Sequence, residues 1–214
     1  MSTSESVPTR MRIAVLLSGG GTTLQNLLDR IAEGSLPVEI ALVISSRAGV
    51  KGIERAERAG IPTQVMTRKA FGSIDAMSEA IFSECRKIGA ELICLAGYLQ
   101  RLRIPADFVH RVINIHPSLL PAFGGQGMYG HHVHEAVLAF GAKVSGCTVH
   151  FTDDEYDHGP IIAQRAVPVL DDDTPETLAA RVFEQECQVY PEVIRSFALR
   201  RLRIDGRCVR QVPG

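Results

Sequence analysis

RIAVLLSGGGTT, residues Arg12–Thr23, is an apolar run of strand length that breaks into a serine, three glycines and two threonines. Such a run, closed by glycines and followed by a helical pattern, reads as the strand, turn and helix that open a βαβ unit. Further short apolar runs occur at Val38–Ile44, Pro62–Met66, Glu91–Ala96 and Val112–His116, with helical patterns between them. The alternation predicts an α/β fold with one open, twisted, mostly parallel sheet and helices on both faces. In one intervening helix Ile74, Met77, Ile81, Phe82, Cys85 and Ile88 recur at helical spacing, so this face is expected to pack on the sheet. From Lys143 to Thr152 the pattern alternates strictly. Ser145, Cys147, Val149 and Phe151 take one face, and Val144, Gly146, Thr148 and His150 the other. With Pro160–Leu170, which follows an acidic turn, this predicts antiparallel C-terminal strands added to the sheet. Thr174 as N-cap and Pro175 at the first helical position begin a long last helix, and Asp205-Gly206 predicts a terminal hairpin turn.

The 214 residues carry 23 Lys+Arg against 24 Asp+Glu, a formal net charge of −1. A nucleic-acid partner is excluded on this reading, because tracking phosphates needs a basic excess. At 45% hydrophobic and 22% charged residues the composition is globular. Surface scaling lets a chain of this size bury about 70% of its surface in one core. No apolar run approaches the ~18 residues of a membrane span, and residues 1–11 lack the apolar core of a signal peptide, so no membrane partner and a cytoplasmic location are expected. The expected organisation is a disordered tail at 1–11, a single domain at 12–204 and a C-terminal extension at 205–214. The five cysteines show no metal or redox spacing. Cys85, Cys94 and Cys147 fall in apolar patterns and read as buried thiols.

Glycines at 19–21 let the backbone approach an anion, and the N–H groups and dipole of the following helix favour a phosphate. The alternative is a tight turn that binds nothing. A dinucleotide fingerprint is not met: its third glycine would fall at Leu24, and the second strand ends in Ser45-Ser46-Arg47 without an acid. Asn114 and His116 alternate with Ile113 and Ile115 at a strand end, which puts amide and imidazole on one face, ~6.7 Å apart along the strand. An amide that holds an oxyanion beside an imidazole that moves protons suits acyl transfer. The alternative on spacing alone is a hydrogen-bonded histidine closing the strand. In the last helix Glu186 projects into the same ~100° arc as Leu178, Val182, Val189, Val193 and Phe197, an acid on an apolar face that needs a partner. His131, His132 and His134 lie within four residues, but the preceding Gly124–Gly130 stretch is too glycine-rich to fix a metal site. No metal is expected, and the segment around 122–134 reads as a lid over a substrate.

Asn114-Ile115-His116-Pro117-Ser118-Leu119-Leu120-Pro121 resembles the signature of the formyltetrahydrofolate-dependent formyltransferases. The likeness extends from residue 12 to about 200, through Leu17-Ser18-Gly19, Leu95-Ala96-Gly97-Tyr98, Val149-His150-Phe151 and Asp157 with Gly159-Pro160-Ile161-Ile162. It implies a Rossmann-like formyltransferase fold, with residues 12–111 as the phosphate-binding half and 112–204 as the catalytic and folate-binding half. The implied activity moves a formyl group from 10-formyltetrahydrofolate, as co-substrate, to the amine of glycinamide ribonucleotide in purine synthesis. Members acting on methionyl-tRNA carry an extra C-terminal domain and the deformylases an extra N-terminal one; the expected room at either end of this chain fits neither. Two alternatives stay open: a formyltransferase for another amine, such as an amino sugar or modified nucleotide, and a binding module for folate or nucleotide without catalysis. A homodimer is among the assemblies the resemblance allows.

By position, the resemblance implies that Asn114, His116 and Asp157 are catalytic, with His150 in support. Gly20, Gly21, Thr22 and Thr23 would bind the substrate phosphate, and Glu186 its ribose. Leu99, Gln100, Arg101, Leu102, Asn114, Asp153 and Tyr156 would bind the folate. The family arginine that contacts the folate tail falls near Ile74, so that contact is absent or supplied by another residue. The implied reaction is a direct transfer in which Asn114 and a protonated His116 meet the oxyanion. An Asp157–His116 pair ~4 Å apart at an effective dielectric of ~20 gains about 4 kcal/mol, so the carboxylate is expected to outweigh burial and keep His116 an imidazolium.

Overall fold

The computed structural model describes residues 10–212. Five strands run parallel: β1 (Met11–Leu17), β2 (Val38–Ser45), β3 (Thr63–Val65), β4 (Leu92–Leu95) and β5 (Val112–His116). Then β6 (Val144–Phe151) and β7 (Ile161–Pro168) complete the sheet antiparallel, in the order β3-β2-β1-β4-β5-β6-β7. The intervening helices are α1 (Thr22–Ala32), α2 (Lys51–Arg58), α3 (Arg68–Phe71), α4 (Ile74–Lys87), α5 (His131–Phe140) and α6 (Pro175–Ala198). Two short strands, β8 (Leu202–Asp205) and β9 (Cys208–Gln211), pair around the Asp205-Gly206 turn as the sequence suggests. Residues 1–9 of the expected tail lie outside the described residues. Met11 is the first residue of β1, paired with Val38, and the terminal hairpin runs from Leu202 to Gln211.

Alternation along β1 sends Ile13, Val15 and Leu17 into one core layer, with residues of α1, α5 and α6, and Ala14 and Leu16 into the other, with Met77, Ile81, Phe82 and Cys85 of α4. Burial on both faces is why β1 reads as an unbroken apolar run. The same alternation on β5 puts Ile113 and Ile115 under α5 and α6, and Val112, Asn114 and His116 on the opposite face. That second face lacks a full helical cover, because the connection from β4 to β5 contains only a 3-10 turn, Ala106–Phe108. This gap in the helical layer is where the site lies.

Helix α6 is anchored to the sheet by Tyr190, whose hydroxyl donates to the carbonyls of Leu95 (2.9 Å), the last residue of β4, and Ile113 (3.2 Å) of β5. Pro191 stands inside α6 and has no N–H to give the carbonyl of Cys187, four residues back. Asn26 of α1 fills that position, its Nδ2 donating to the Cys187 carbonyl at 3.0 Å. Asn26→Ala is therefore expected to lower the unfolding free energy by about 1–3 kcal/mol, the cost of stranding a partly buried acceptor. Combining it with Pro191→Ala, which restores a backbone N–H at position 191, should recover most of that loss in urea unfolding. Strictly additive losses would contradict the assignment.

Candidate active site

Because β5 pairs antiparallel with β6, Asn114 stands opposite His150 and His116 opposite Thr148, and all four side chains share the uncovered face. The pair projects from one face of β5 at its carboxyl end, as the alternation in the sequence suggests. The loop from β6 to β7 folds back over this face and carries Asp157. Asn114 Nδ2 lies 3.2 Å from His150 Nε2 and donates to Asp157 Oδ1 at 3.4 Å, while His116 Nδ1 is 3.5 Å from Asp157 Oδ2. His150 Nδ1 is 2.8 Å from the Phe151 carbonyl, which can only accept, so Nδ1 carries a proton, while Nε2 faces both Asn114 and, at 3.6 Å, Asp157 Oδ1. The expected trio and its supporting histidine therefore meet.

The segment after the signature closes on the same groups. His116 Nε2 is 2.8 Å from the Phe123 carbonyl, and the Gly125 N–H donates to Asp157 Oδ2 at 3.0 Å. Gly124 packs closely here: a Cβ would lie 2.5 Å from Leu120 Cδ2 and 3.3 Å from Asp157 Cβ, so these side chains would have to shift to admit one. Beside them lies a cavity of about 380 Å³. Its lining takes in every expected folate residue, Leu99, Gln100, Arg101, Leu102, Asn114, Asp153 and Tyr156, along with His116, His150, Asp157 and Gly125 to Gly130.

One expectation is overturned. Burial has the largest influence on His116, which is 3% exposed, and pulls its pKa below the ordinary 6.5; the Asp157 carboxylate and the Phe123 carbonyl raise it without prevailing. The resting imidazole is neutral, with Nε2–H given to Phe123 and Nδ1 open beside Asp157. For Asp157 burial pushes upward, but the bond with His150, the His116 ring and the Gly125 N–H together hold the carboxyl below its usual range. Asp157 is thus the standing charge of the site.

The expected phosphate-binding residues Gly20 to Thr23 and Glu186 are not part of this cavity lining. They lead into or lie on α1 and α6, in the layer on the other face of the sheet, and Ser18 links that turn to the cavity side. Its N–H donates to the Gly97 carbonyl at 3.0 Å, and its Oγ accepts from the Leu99 N–H at 2.9 Å. Gly21 caps α1 with φ 70°, and a Cβ there would lie 2.6 Å from Gly52 Cα. The first turn of α1 contains no acid and no capping side chain, so its leading N–H groups stay open to an anion. The loop carbonyls are taken up by α2: the Gly52 N–H donates to Gly19 at 3.1 Å and Arg55 Nε to Gly20 at 3.0 Å, with Arg55 Nη1 on Gln25 at 2.9 Å. Arg55 was not legible in the sequence, where it sits in a mixed-charge helix that reads as a solvated face.

Glu186 is half-buried among Val182, Val189 and Tyr190, forms no hydrogen bond among the described residues, and has its pKa pushed up to about 7 by burial. His131 and His132 are exposed at the start of α5, whereas His134 is buried with Nδ1 unpartnered. Among the described residues no group of three or more His, Cys, Asp or Glu is placed to hold a metal. Cys85, Cys94 and Cys147 are buried free thiols, as their apolar surroundings suggest. No helix among the described residues is long and apolar enough to cross a membrane.

Residues 11–194 match the family described as formyl transferase. The phosphoribosylglycinamide formyltransferase of Haemophilus influenzae is 40% identical over 195 residues, covering 90% of this chain and 90% of that protein. The trifunctional purine biosynthetic protein adenosine-3 of Gallus gallus is 43% identical over 191 residues, 88% of this chain but only 18% of that much longer protein. Among solved structures, glycinamide ribonucleotide transformylase 1 from Symbiobacterium toebii matches with a TM-score of 0.90 and 45% identity, over 99% of this chain and 100% of that one. With the family match running from the first strand well into the last long helix, the chain belongs to the formyl transferase family.

Proposed function

We propose that this chain transfers the formyl group of 10-formyltetrahydrofolate to the primary amine of 5'-phosphoribosylglycinamide. The observation that carries the reading is the meeting of Asn114, His116 and Asp157, from two separate parts of the chain, on the wall of a cavity that Leu99–Leu102 also line. In this reading the pterin enters between Leu99–Leu102 and the Asp153–Tyr156 arm. The nucleotide phosphate sits on the open N–H groups of α1, its ribose near Glu186, and its amine reaches the cavity past Ser18. A phosphate loop and a carboxylate suited to ribose hydroxyls favour a phosphoribosyl amine over an amino sugar.

The resting state sets the order of proton movements. The neutral amine attacks the formyl carbon, and Asn114 turns an N–H toward the oxyanion. Neutral His116 takes the amine proton and becomes the cation as the oxyanion forms, with Asp157 beside it to stabilise the new charge. The imidazolium then gives its proton to the departing folate nitrogen, leaving N-formyl product, tetrahydrofolate and the enzyme in its starting state. Phe123 and Gly125 couple the glycine-rich segment to this pair, so that segment acts as a cover whose closure excludes water.

The direct test incubates the protein with 10-formyltetrahydrofolate and either glycinamide ribonucleotide, other amines or no amine, following the deformylated folate by absorbance. Turnover is expected with glycinamide ribonucleotide alone. His116→Ala and Asp157→Asn should each lose about a hundredfold or more in kcat with nucleotide binding intact. Turnover only with another amine, or without one, would overturn the substrate assignment, and near-normal variants would overturn the roles. Glu186 gives a pH signature. A folded pKa of about 7 above the ordinary 4.5 means its contribution to stability is complete below 4.5 and is lost as pH rises through 7. Glu186→Gln should remove that loss in unfolding curves between pH 5 and 8 and raise the KM for the nucleotide; an unchanged pH profile would place the carboxylate in water.

A further inference from the structure

The β8–β9 hairpin stands outside the seven-stranded sheet, yet its turn reaches the cavity wall. Arg207 Nη2 donates to the His158 carbonyl at 2.6 Å, and Nη1 lies 3.4 Å from His158 Nε2. On its other side His158 Nδ1 is 2.8 Å from Asp153 Oδ2. A carboxylate only accepts, so Nδ1 carries a proton toward Asp153, and Nε2 faces the guanidinium. One chain of donors thus runs from the hairpin through His158 to Asp153, a residue of the cavity lining.

The loop receiving this chain needs to be held. It supplies Asp153, Glu155, Tyr156 and Asp157 to the cavity, and Asp157 has φ 53°, a left-handed conformation that a residue with a side chain keeps only when its surroundings enforce it. From inside, Gly125 and Asn114 hold Asp157. In the middle of the loop, Arg101 Nε donates to the Asp154 carbonyl at 2.8 Å, and the Ile104 N–H to its carboxylate at 3.2 Å. The outer corner, Asp153 and His158, is held by Arg207. Its root is tight as well: a Cβ on Gly159 would collide with the Phe151 carbonyl.

We propose that Arg207 is a positioning residue for the reaction. The C-terminal hairpin latches the folate-side wall of the cavity through His158 and Asp153, and so sets affinity for the folate co-substrate without touching the nucleotide. The inference rests on the formyl-transfer reading above. The three side chains are partly exposed, so the effect is that of one well-placed exposed charge contact rather than a buried one.

The test compares Arg207→Ala, Arg207→Lys, His158→Ala and the double variant Arg207→Ala/His158→Ala. Arg210→Ala, which removes an equal charge from the same hairpin, serves as control. Arg207→Ala should raise the KM for 10-formyltetrahydrofolate about fivefold, with the KM for glycinamide ribonucleotide unchanged. Arg207→Lys, still able to donate to the His158 carbonyl, should recover most of this, and the double variant should lose less than the sum of the two single losses. Arg210→Ala should match the parent. A normal folate KM in Arg207→Ala, or equal rises for both substrates, would overturn the latch and leave the hairpin a purely structural element. If the parent protein formylates no glycinamide ribonucleotide, the functional reading fails instead. The latch is then judged by hydrogen exchange at residues 154–157, faster in Arg207→Ala than in Arg210→Ala if it exists and equal if it does not.

Discussion

The site depends on one antiparallel pairing, β5 against β6, over a face of the sheet that lacks a full helical cover. Pairing sets His150 opposite Asn114 and directs the chain after β6 into a loop that returns Asp157 over both. The missing cover follows from the β4–β5 connection, which spends its residues on the extended Leu99–Leu102 segment and one 3-10 turn instead of a helix. A helix in that connection would bury Asn114 and His116 as it buries Ile113 and Ile115 on the other face, and no cavity would form.

Enclosure then decides the electrostatics. Taking an imidazole out of water penalises its charged form more than a carboxylate 3.5 Å away rewards it, so His116 rests neutral and Asp157 rests charged. This is the opposite of the expectation from pair energy alone, and it suits the chemistry better. A preformed imidazolium could stabilise an oxyanion but could not accept the amine proton. A neutral ring next to a fixed carboxylate does both in turn, with the cation appearing as the opposing charge develops. The glycine turn before α1 uses a different device: it leaves open N–H groups at the start of the helix, and Gly52 and Arg55 brace its carbonyls.

Much of the fold was legible because it is written in period. Alternation at 143–152, the apolar runs of the parallel strands and the Thr174-Pro175 helix start all match the structure, and Asn114 and His116 share a face because a strand has period two. The eight-residue signature and the Asp157 turn identified a constellation whose members do meet. What escaped is contact between distant segments without a local pattern. Asn26 serving the carbonyl stranded by Pro191, Arg55 bracing the glycine loop, Phe123 facing His116 and Arg207 holding His158 are all single side-chain or backbone contacts across the fold. The protonation state of His116 escaped for a related reason: spacing gives the partner, but only the packed surroundings give the degree of burial that outweighs it.

The central claim, a neutral His116 made ready by burial and poised beside a charged Asp157, is tested most directly by a nitrogen-15 NMR titration of the His116 ring in the ligand-free protein. The Nε2-protonated neutral form should persist below pH 6.5, with the midpoint moving lower still in Asp157→Asn, where the opposing carboxylate is gone. A midpoint above 6.5, or one that ignores the loss of Asp157, would contradict it.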